Sequence, residues 1–380
     1  MTIKEIPEIW AEQWSAHNYE EMTAIQQELY TPIKEGKDVI AVSPTGTGKT
    51  VAYSLPAIER LEVKPHTQWL ILAPSHELVM QIADVVRSWL PAGLKVVGII
   101  GSANIKRQID NLKKKPQVIV GSPGRVLELI KQKKIKMHEV KMITLDECDQ
   151  LLIRENVPTV LEIVNSAMRD RQLVMASATK LEDPMMFYRN SEIEPVVIEA
   201  KAEESNANVN HLYMDVEQPR DKAILLRRIS NVEGMRALVF VKDKVRMDII
   251  LEKLQYDGVA AAGIHGEVRK EDRKKYLAAF KKAELTYLVV TDVAARGLDI
   301  PDLPFVIHCD VAMDAKQYTH RSGRTGRMGK AGTVLSFANE REARTLRQYL
   351  KELGKDPIKV RYYEGVLTDD LGSKVSDKRK

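Results

Sequence analysis

The sequence predicts an α/β protein with two tandem domains, each a mostly parallel sheet covered by helices. Three observations carry this. Seven continuous apolar runs (residues 39–43, 69–73, 96–100, 118–120, 142–145, 173–176 and 196–198) alternate with helix-length amphipathic stretches. Such runs mark strands buried on both faces, as in a parallel sheet. Six more runs, at 212–214, 237–241, 260–264, 287–290, 305–307 and 333–337, repeat the pattern. Between the series, residues 201–208 are polar and aperiodic, which predicts a linker. The expected domains are therefore residues 1–200 and 209–365, and the charged segment 366–380 is expected to be a disordered tail.

Taken in chain order, the first run leads into Ser43-Pro-Thr45-Gly46-Thr47-Gly48-Lys49-Thr50 and then an amphipathic helix. Strand, glycine-rich loop and helix start together form a phosphate cradle: the glycines let backbone N–H groups wrap an anion, and the helix adds its positive end. Lys49 is expected on the β- and γ-phosphates of a triphosphate and the Thr50 hydroxyl on Mg²⁺. Ser43 stands where the common pattern begins with Gly. The run 142–145 ends in Asp146-Glu147-Cys148-Asp149. Carboxylates at the end of a parallel strand share the sheet edge of the cradle. Asp146 is expected to hold Mg²⁺, partly through water, and Glu147 to polarise the attacking water. Ser177-Ala-Thr179 closes the next strand and is expected to relay nucleotide state to the second domain.

The second series contains no phosphate loop. It carries Thr291-Asp292-Val-Ala-Ala-Arg296-Gly297-Leu-Asp299 and His320-Arg-Ser-Gly-Arg324-Thr-Gly-Arg327. The latter reads as three arginines in one short loop with no acidic residue beside them. Arg324 and Arg327 are expected to reach a γ-phosphate and steady its charge; binding of a nucleic-acid backbone is the alternative use. Two domains closing on one triphosphate are the expectation.

Composition narrows the class. Cys148 and Cys309 offer neither a disulfide framework nor a metal pair. No apolar run reaches the roughly 18 residues of a membrane helix, and the amino terminus lacks the apolar core of a signal peptide. A cytoplasmic protein is expected. The net charge is +5, but residues 104–141 hold eleven Lys and Arg against three acidic residues, leaving −3 for the rest. That concentration points to a polyanion-facing surface as readily as to a solvated helix face.

The ordered set of motifs resembles the DEAD-box RNA helicases of superfamily 2, with D-E-C-D in place of D-E-A-D, over roughly residues 10–360. The resemblance implies two RecA-like domains, an RNA-dependent ATPase, ATP and Mg²⁺ as cofactors, and a monomer that binds RNA independently of sequence. It implies that Tyr19 stacks on adenine and Gln26 reads its edge. It further implies that Pro74, Ser75, His76, Gly101, Ser102, Pro123, Gly124 and Arg125 face RNA from the first domain. Leu238-Val-Phe240, His265, Gly266, Arg273, Thr291, Asp292 and Arg296 would do so from the second. Asp299 would reach the ribose, Gly297 would serve coupling, and His320 would contact the layer of Asp146 and Ser177. The charged window then reads as RNA contact, and ribonucleoprotein or ribosome-assembly partners become candidates. Departures fall at Met22-Thr-Ala24, where the family carries two prolines, and at His76, Ser102 and Lys270. The first lies in the adenine-reading segment and the last three at RNA-side or loop positions, so an ATP-gated RNA clamp with little unwinding stands as the alternative, ahead of a DNA motor or a plain ATPase.

Overall fold

The computed structural model describes residues 5–369 apart from 18, 20, 45, 182, 189–192, 201–208, 296, 297, 299, 301, 302 and 327–330. The chain divides into two compact units, Met1–Glu203 and Glu204–Lys380. The expected linker lies outside the described residues.

In the first unit the order is α1 (Ala11–Ala16), α2 (Ala24–Lys34), β1 (Val39–Val42), α3 (Lys49–Ile58), β2 (Trp69–Leu72), α4 (His76–Trp89), β3 (Val96–Ile99), α5 (Ile105–Lys113), β4 (Val118–Gly121), α6 (Pro123–Lys131), β5 (Met142–Leu145), α7 (Cys148–Leu151), α8 (Val157–Asn165), β6 (Gln172–Ser177) and β7 (Val196–Glu199). The sheet runs β3-β4-β2-β5-β6-β1-β7, and every neighbouring pair is parallel. Strands β2, β4, β5 and β6 are buried at every residue, which is why they read as unbroken apolar runs. Helices α2, α3 and α4 share one core with the sheet. Helices α5, α6 and α8 share the other. Because all strands run the same way, the loops after β1 to β6 gather at one edge.

The second unit follows with β8 (Val209–Asp215), α9 (Asp221–Ile229), β9 (Ala237–Val241), α10 (Lys244–Tyr256), β10 (Ala261–Ile264), α11 (Lys270–Lys281), β11 (Tyr287–Thr291), α12 (Asp292–Ala295), β12 (Phe305–His308), α13 (Ala315–Ser322), β13 (Gly332–Ala338), α14 (Glu340–Glu352), β14 (Ile358–Tyr363) and β15 (Val366–Asp369). Its sheet order is β10-β11-β9-β12-β13-β8-β14-β15. The last two strands correct the sequence reading, which stopped at six strands and placed 366–369 in a disordered tail. Glu364 and Gly365 both take positive φ, 45° and 84°, the backbone of a tight hairpin turn. The hairpin buries Val360 and Leu367, and its β14 joins β8 in parallel. Residues 370–380 lie outside the described residues.

Two imidazoles are sealed into this unit. His211 Nδ1 lies 2.7 Å from the Tyr318 hydroxyl, and His308 packs edge-on against Tyr318 and Phe240. Burial lowers His211 to about 3, with Lys355 adding to the effect. Burial, helped by Arg321 and His211, drives His308 well below the ordinary value. The unfolded chain therefore takes up protons near pH 6.5 that the folded unit refuses, so stability falls as pH drops through that value. The slope is up to about 1.4 kcal/mol per pH unit for each histidine. Thermal melts between pH 7 and 5 should show the second unit weakening; a flat profile there would contradict it.

Candidate nucleotide and nucleic-acid site

The phosphate cradle is built as the sequence demands. Gly46 and Gly48 have φ of 84° and 85°, a region closed to most side chains. At Gly48 a Cβ would stand 2.7 Å from the Gln26 amide nitrogen, so the cradle and the segment before α2 are packed together. Thr23 donates to the Thr47 carbonyl at 2.8 Å and forms a capping box with Gln26. The Gln26 carbonyl oxygen thus accepts from the Thr23 N–H at 2.8 Å. Thr45 lies outside the described residues.

Lys49 is buried and donates to the carbonyls of Ser43 (2.5 Å) and Pro44 (2.7 Å), bonds that Lys49 would have to give up to bind a phosphate. Burial lowers the pKa of Lys49 to about 8, against the opposing pull of Asp146, Glu147 and Asp149. The ammonium is consequently a cost to stability below about pH 8, and stability gains as pH rises from there towards 10.5. Phosphate binding needs the charged form. kcat/KM for ATP should hold level up to about pH 8 and then fall by up to about tenfold per pH unit. A Lys49→Arg variant, if active, should lack that limb.

Asp146 sits at the end of β5, buried, and burial raises its pKa against the pull of Tyr53 and Lys49. Its Oδ2 accepts from the Tyr53 hydroxyl at 2.8 Å and lies 3.5 Å from Thr50 Oγ1. The Glu147 N–H donates to Oδ1 at 2.8 Å. Glu147 itself has φ 48° and ψ 51°, a left-handed conformation that costs a non-glycine residue roughly 1–2 kcal/mol. One strand over, Ser177 Oγ donates to the Thr179 carbonyl at 2.6 Å, and Thr179 Oγ1 donates to Asp149 at 3.2 Å. The acidic strand end and the Ser-Ala-Thr strand end are therefore wired to each other.

Tyr19 belongs to an aromatic cluster that sequence reasoning did not assemble. Its ring lies 5.0 Å from Trp14 and 6.2 Å from Trp89, nearly parallel to the latter. His17 stacks on Trp89 at 4.3 Å, and Trp10 meets Trp89 edge-on. The segment lacks the family's prolines, but buried Met22 and the Gln27 side chain, which donates to the Met22 carbonyl, hold the backbone instead. Periodicity could not reveal this, because the rings come from the turn before α1, from α1, from α4 and from the loop between α1 and α2.

On the same edge of the first unit, Pro74 precedes Ser75, whose hydroxyl caps α4 by accepting from the Leu78 N–H. His76 begins that helix and faces Gly101. Pro123 opens α6 after Ser122. A Cβ on Gly124 would meet nothing within 4 Å, so a ligand backbone could approach there. Arg125 spends its guanidinium inside the protein, on the carbonyls of Gly101 (2.6 Å) and Ala103 (3.0 Å) and on Glu128. It fastens the loop carrying Gly101 and Ser102.

In the second unit the arginine motif departs from its sequence reading. Residues 320–322 belong to helix α13 rather than a loop, and Arg321 is neutralised. Its guanidinium grips Asp292 through two 2.7 Å bonds, donates to the Asp310 carbonyl at 2.6 Å and lies over Phe240. An acid 29 residues away in sequence supplies the partner that local inspection missed. Asp292, expected to face RNA, is that partner. Thr291 ends β11 beside it. Arg324 donates to the Leu298 carbonyl at 3.3 Å, which brings the two motifs of this unit together. His320 occupies the last turn of α13. His265 accepts from the Glu267 N–H, and Gly266 is open to a Cβ. Arg296, Gly297, Asp299 and Arg327 lie outside the described residues.

A phosphate cradle and an acidic strand end on one edge of a parallel sheet define a P-loop nucleoside triphosphatase. Two families match the chain: DEAD/DEAH box helicase over residues 23–187 and helicase conserved C-terminal domain over residues 221–329. The Bacillus subtilis (strain 168) protein named probable ATP-dependent RNA helicase YfmL is 46% identical over 359 residues, 94% of this chain and 95% of the relative. The Bacillus cereus DEAD-box ATP-dependent RNA helicase CshC is 44% identical over 367 residues, 96% and 94% of the two chains. Among solved structures, S. cerevisiae Dbp5 bound to RNA and ADP BeF3 superposes with a TM-score of 0.80 at 27% identity, covering 93% of this chain and 94% of the other. The chain belongs to the DEAD-box ATP-dependent RNA helicases, and its two units are tandem RecA-like domains. It is an RNA-dependent ATPase. Among the described residues no helix is long and apolar enough to cross a membrane.

Proposed function

We propose that the two units close on one ATP and one strand of RNA, and that hydrolysis reopens them. In this reading Tyr19 and Gln26 take the adenine and Asp299 the ribose. Lys49 and the backbone of residues 45–48 take the phosphates. Glu147 accepts the proton of the attacking water, and Arg324 and Arg327 steady the charge that spreads over the transferring phosphoryl group. His320, Ser177, Thr179 and Gly297 connect the nucleotide to the RNA side. Mg²⁺ fits the first unit: Thr50 and Asp146 offer hard oxygen donors 3.5 Å apart. Those two side chains would hold the ion, in part through water. When bound, the ion would offset phosphate charge.

RNA would be held by its backbone and 2′-hydroxyls at Pro74–His76, Gly101, Ser102, Pro123 and Gly124, and at His265, Gly266, Thr291 and Arg296, largely without regard to sequence. Asp292 and Arg125 act in this scheme as positioning residues. The observation that carries the reading is the gathering of cradle, carboxylates and the loops after β2, β3 and β4 at one sheet edge. Nucleotide and RNA each favour the closed arrangement, so each strengthens the other's binding, and a bent strand sheds its pairing partner locally. Family resemblance extends the proposal to a cytoplasmic monomer acting on structured RNA, including ribonucleoprotein and ribosome-assembly RNA. Nothing in the site favours the clamp with little unwinding. Steady-state ATPase activity at fixed salt, with RNA, with DNA of the same sequence and with neither, tests the coupling. Strong stimulation by RNA alone is expected; indifference to both would remove the proposal.

A further inference from the structure

The charge concentrated in residues 104–141 divides in space. Only residues 104–107 and 122–125 lie near the edge that holds the site. Helices α5 and α6 start there and run back across the sheet, about 13 Å for nine residues. Both bury apolar stripes in one core, through Ile105, Ile109 and Leu112 on α5 and Val126, Leu129 and Ile130 on α6. Their C-terminal ends therefore emerge side by side at the opposite edge, where β3 and β4 begin.

There Lys115, Lys133, Lys134 and Lys136 are all exposed. Lys95 joins them, because its carbonyl accepts from the N–H groups of Gln117 and Val118 at the start of β4. Lys113 and Lys131 are paired with Asp110 and Glu162. Among the described residues the other five form no ion pair. Helix C-termini favour a lysine in the last turn, which accounts for Lys113 and Lys131 but not for those beyond. Lys115 and Lys133 have φ of 52° and 58° at the position following each helix, where glycine is the favoured residue. Lysine is held there against backbone preference, twice. Residues 104–141 contain no Phe, Tyr or Trp, so this surface has charge without stacking platforms. That combination fits the phosphates of an RNA double helix better than unstacked single strands.

We propose that this edge is a second RNA surface, distinct from the strand-end site, which grips the backbone of a duplex flanking the strand being worked on. The proposal rests on the chain's action on RNA. It would tether the enzyme to structured RNA while the strand-end site binds and releases a single strand.

The test uses the full chain and two RNAs: a single strand of about ten nucleotides, a length within the span of single-strand sites, and the same strand extended into a hairpin stem. Half-saturating concentrations for ATPase stimulation are compared for wild type, Lys115→Gly/Lys133→Gly, and that variant with Lys134→Gln and Lys136→Gln added. Glycine suits the backbone at both positions, so Tm should stay at or above wild type. The fourfold variant should need about tenfold more hairpin RNA and under twofold more single strand. Its log–log salt slope for the hairpin should fall by about 3.6, at about 0.9 for each of the four lost phosphate contacts. Equal weakening for both RNAs, or no weakening for either, overturns the second surface, and the latter would leave an acidic protein as the partner this charge could serve. Failure of the short strand to stimulate wild type would instead strike the RNA-dependent ATPase itself.

Discussion

Glu147→Gln is expected to leave ATP and RNA binding within about twofold of wild type and to cut RNA-stimulated kcat by a hundredfold or more, the range of a lost general base. The reason lies in what the substitution preserves. Glu147 is held in a left-handed conformation at the start of α7, and its carbonyl accepts from the N–H groups of Gln150 and Leu151. Glutamine is the same size and keeps that backbone. The Asp146 carboxylate also keeps its bonds to Tyr53 and the residue-147 N–H. What disappears is a base able to accept a proton beside the phosphate cradle. Lys49→Ala should differ, because it would remove the proposed phosphate ligand and raise KM. Single-turnover hydrolysis beside equilibrium binding of ATP separates the two variants. Substantial turnover by Glu147→Gln would assign the base elsewhere.

Arg321→Met is expected to destabilise the second unit by about 3 kcal/mol or more, the lower end for breaking a buried ion pair. Arg321 has 4% of its side chain exposed and Asp292 has 23%, so solvent relieves the orphaned carboxylate only in part. The loss also includes a bond to the Asp310 carbonyl and the contact with Phe240. Arg321→Lys should fall between, since an ammonium cannot reproduce the two-pronged grip. Arg321→Met combined with Asp292→Asn should recover part of the loss, which is the signature of a direct pair. Chemical denaturation followed by far-ultraviolet circular dichroism measures all three. A normal denaturation profile with RNA stimulation alone abolished would show Asp292 to be an RNA contact instead of a structural partner.

These cases show what a linear reading captures. The parallel strands were legible because burial on both faces leaves no polar residue in the run, as in Trp69–Leu72. The cradle and acidic strand end were legible because each is a short local pattern whose chemistry depends on adjacent residues. Strand β14 was missed because it sits near the sheet's end, alternates burial and exposure, and carries Lys359 and Arg361. The Asp292–Arg321 pair joins residues from two elements, as does the packing of Gln26 on Gly48. No spacing rule connects them. The charged window could not be divided by spacing either: its residues are contiguous in sequence but lie at two edges of one sheet.

The aromatic cluster around Tyr19 has an optical consequence. All four tryptophans (Trp10, Trp14, Trp69 and Trp89) fall in the first unit and none in the second. Emission excited at the red edge of tyrosine absorption is therefore blind to one half of the molecule. Two of the four emitters, Trp14 and Trp89, flank the ring proposed to meet adenine, a third lies edge-on to Trp89, and an imidazole lies flat against Trp89. If adenine meets Tyr19 as proposed, native fluorescence would follow nucleotide arrival without a dye, while a second unit that had already melted would go unnoticed by the same signal.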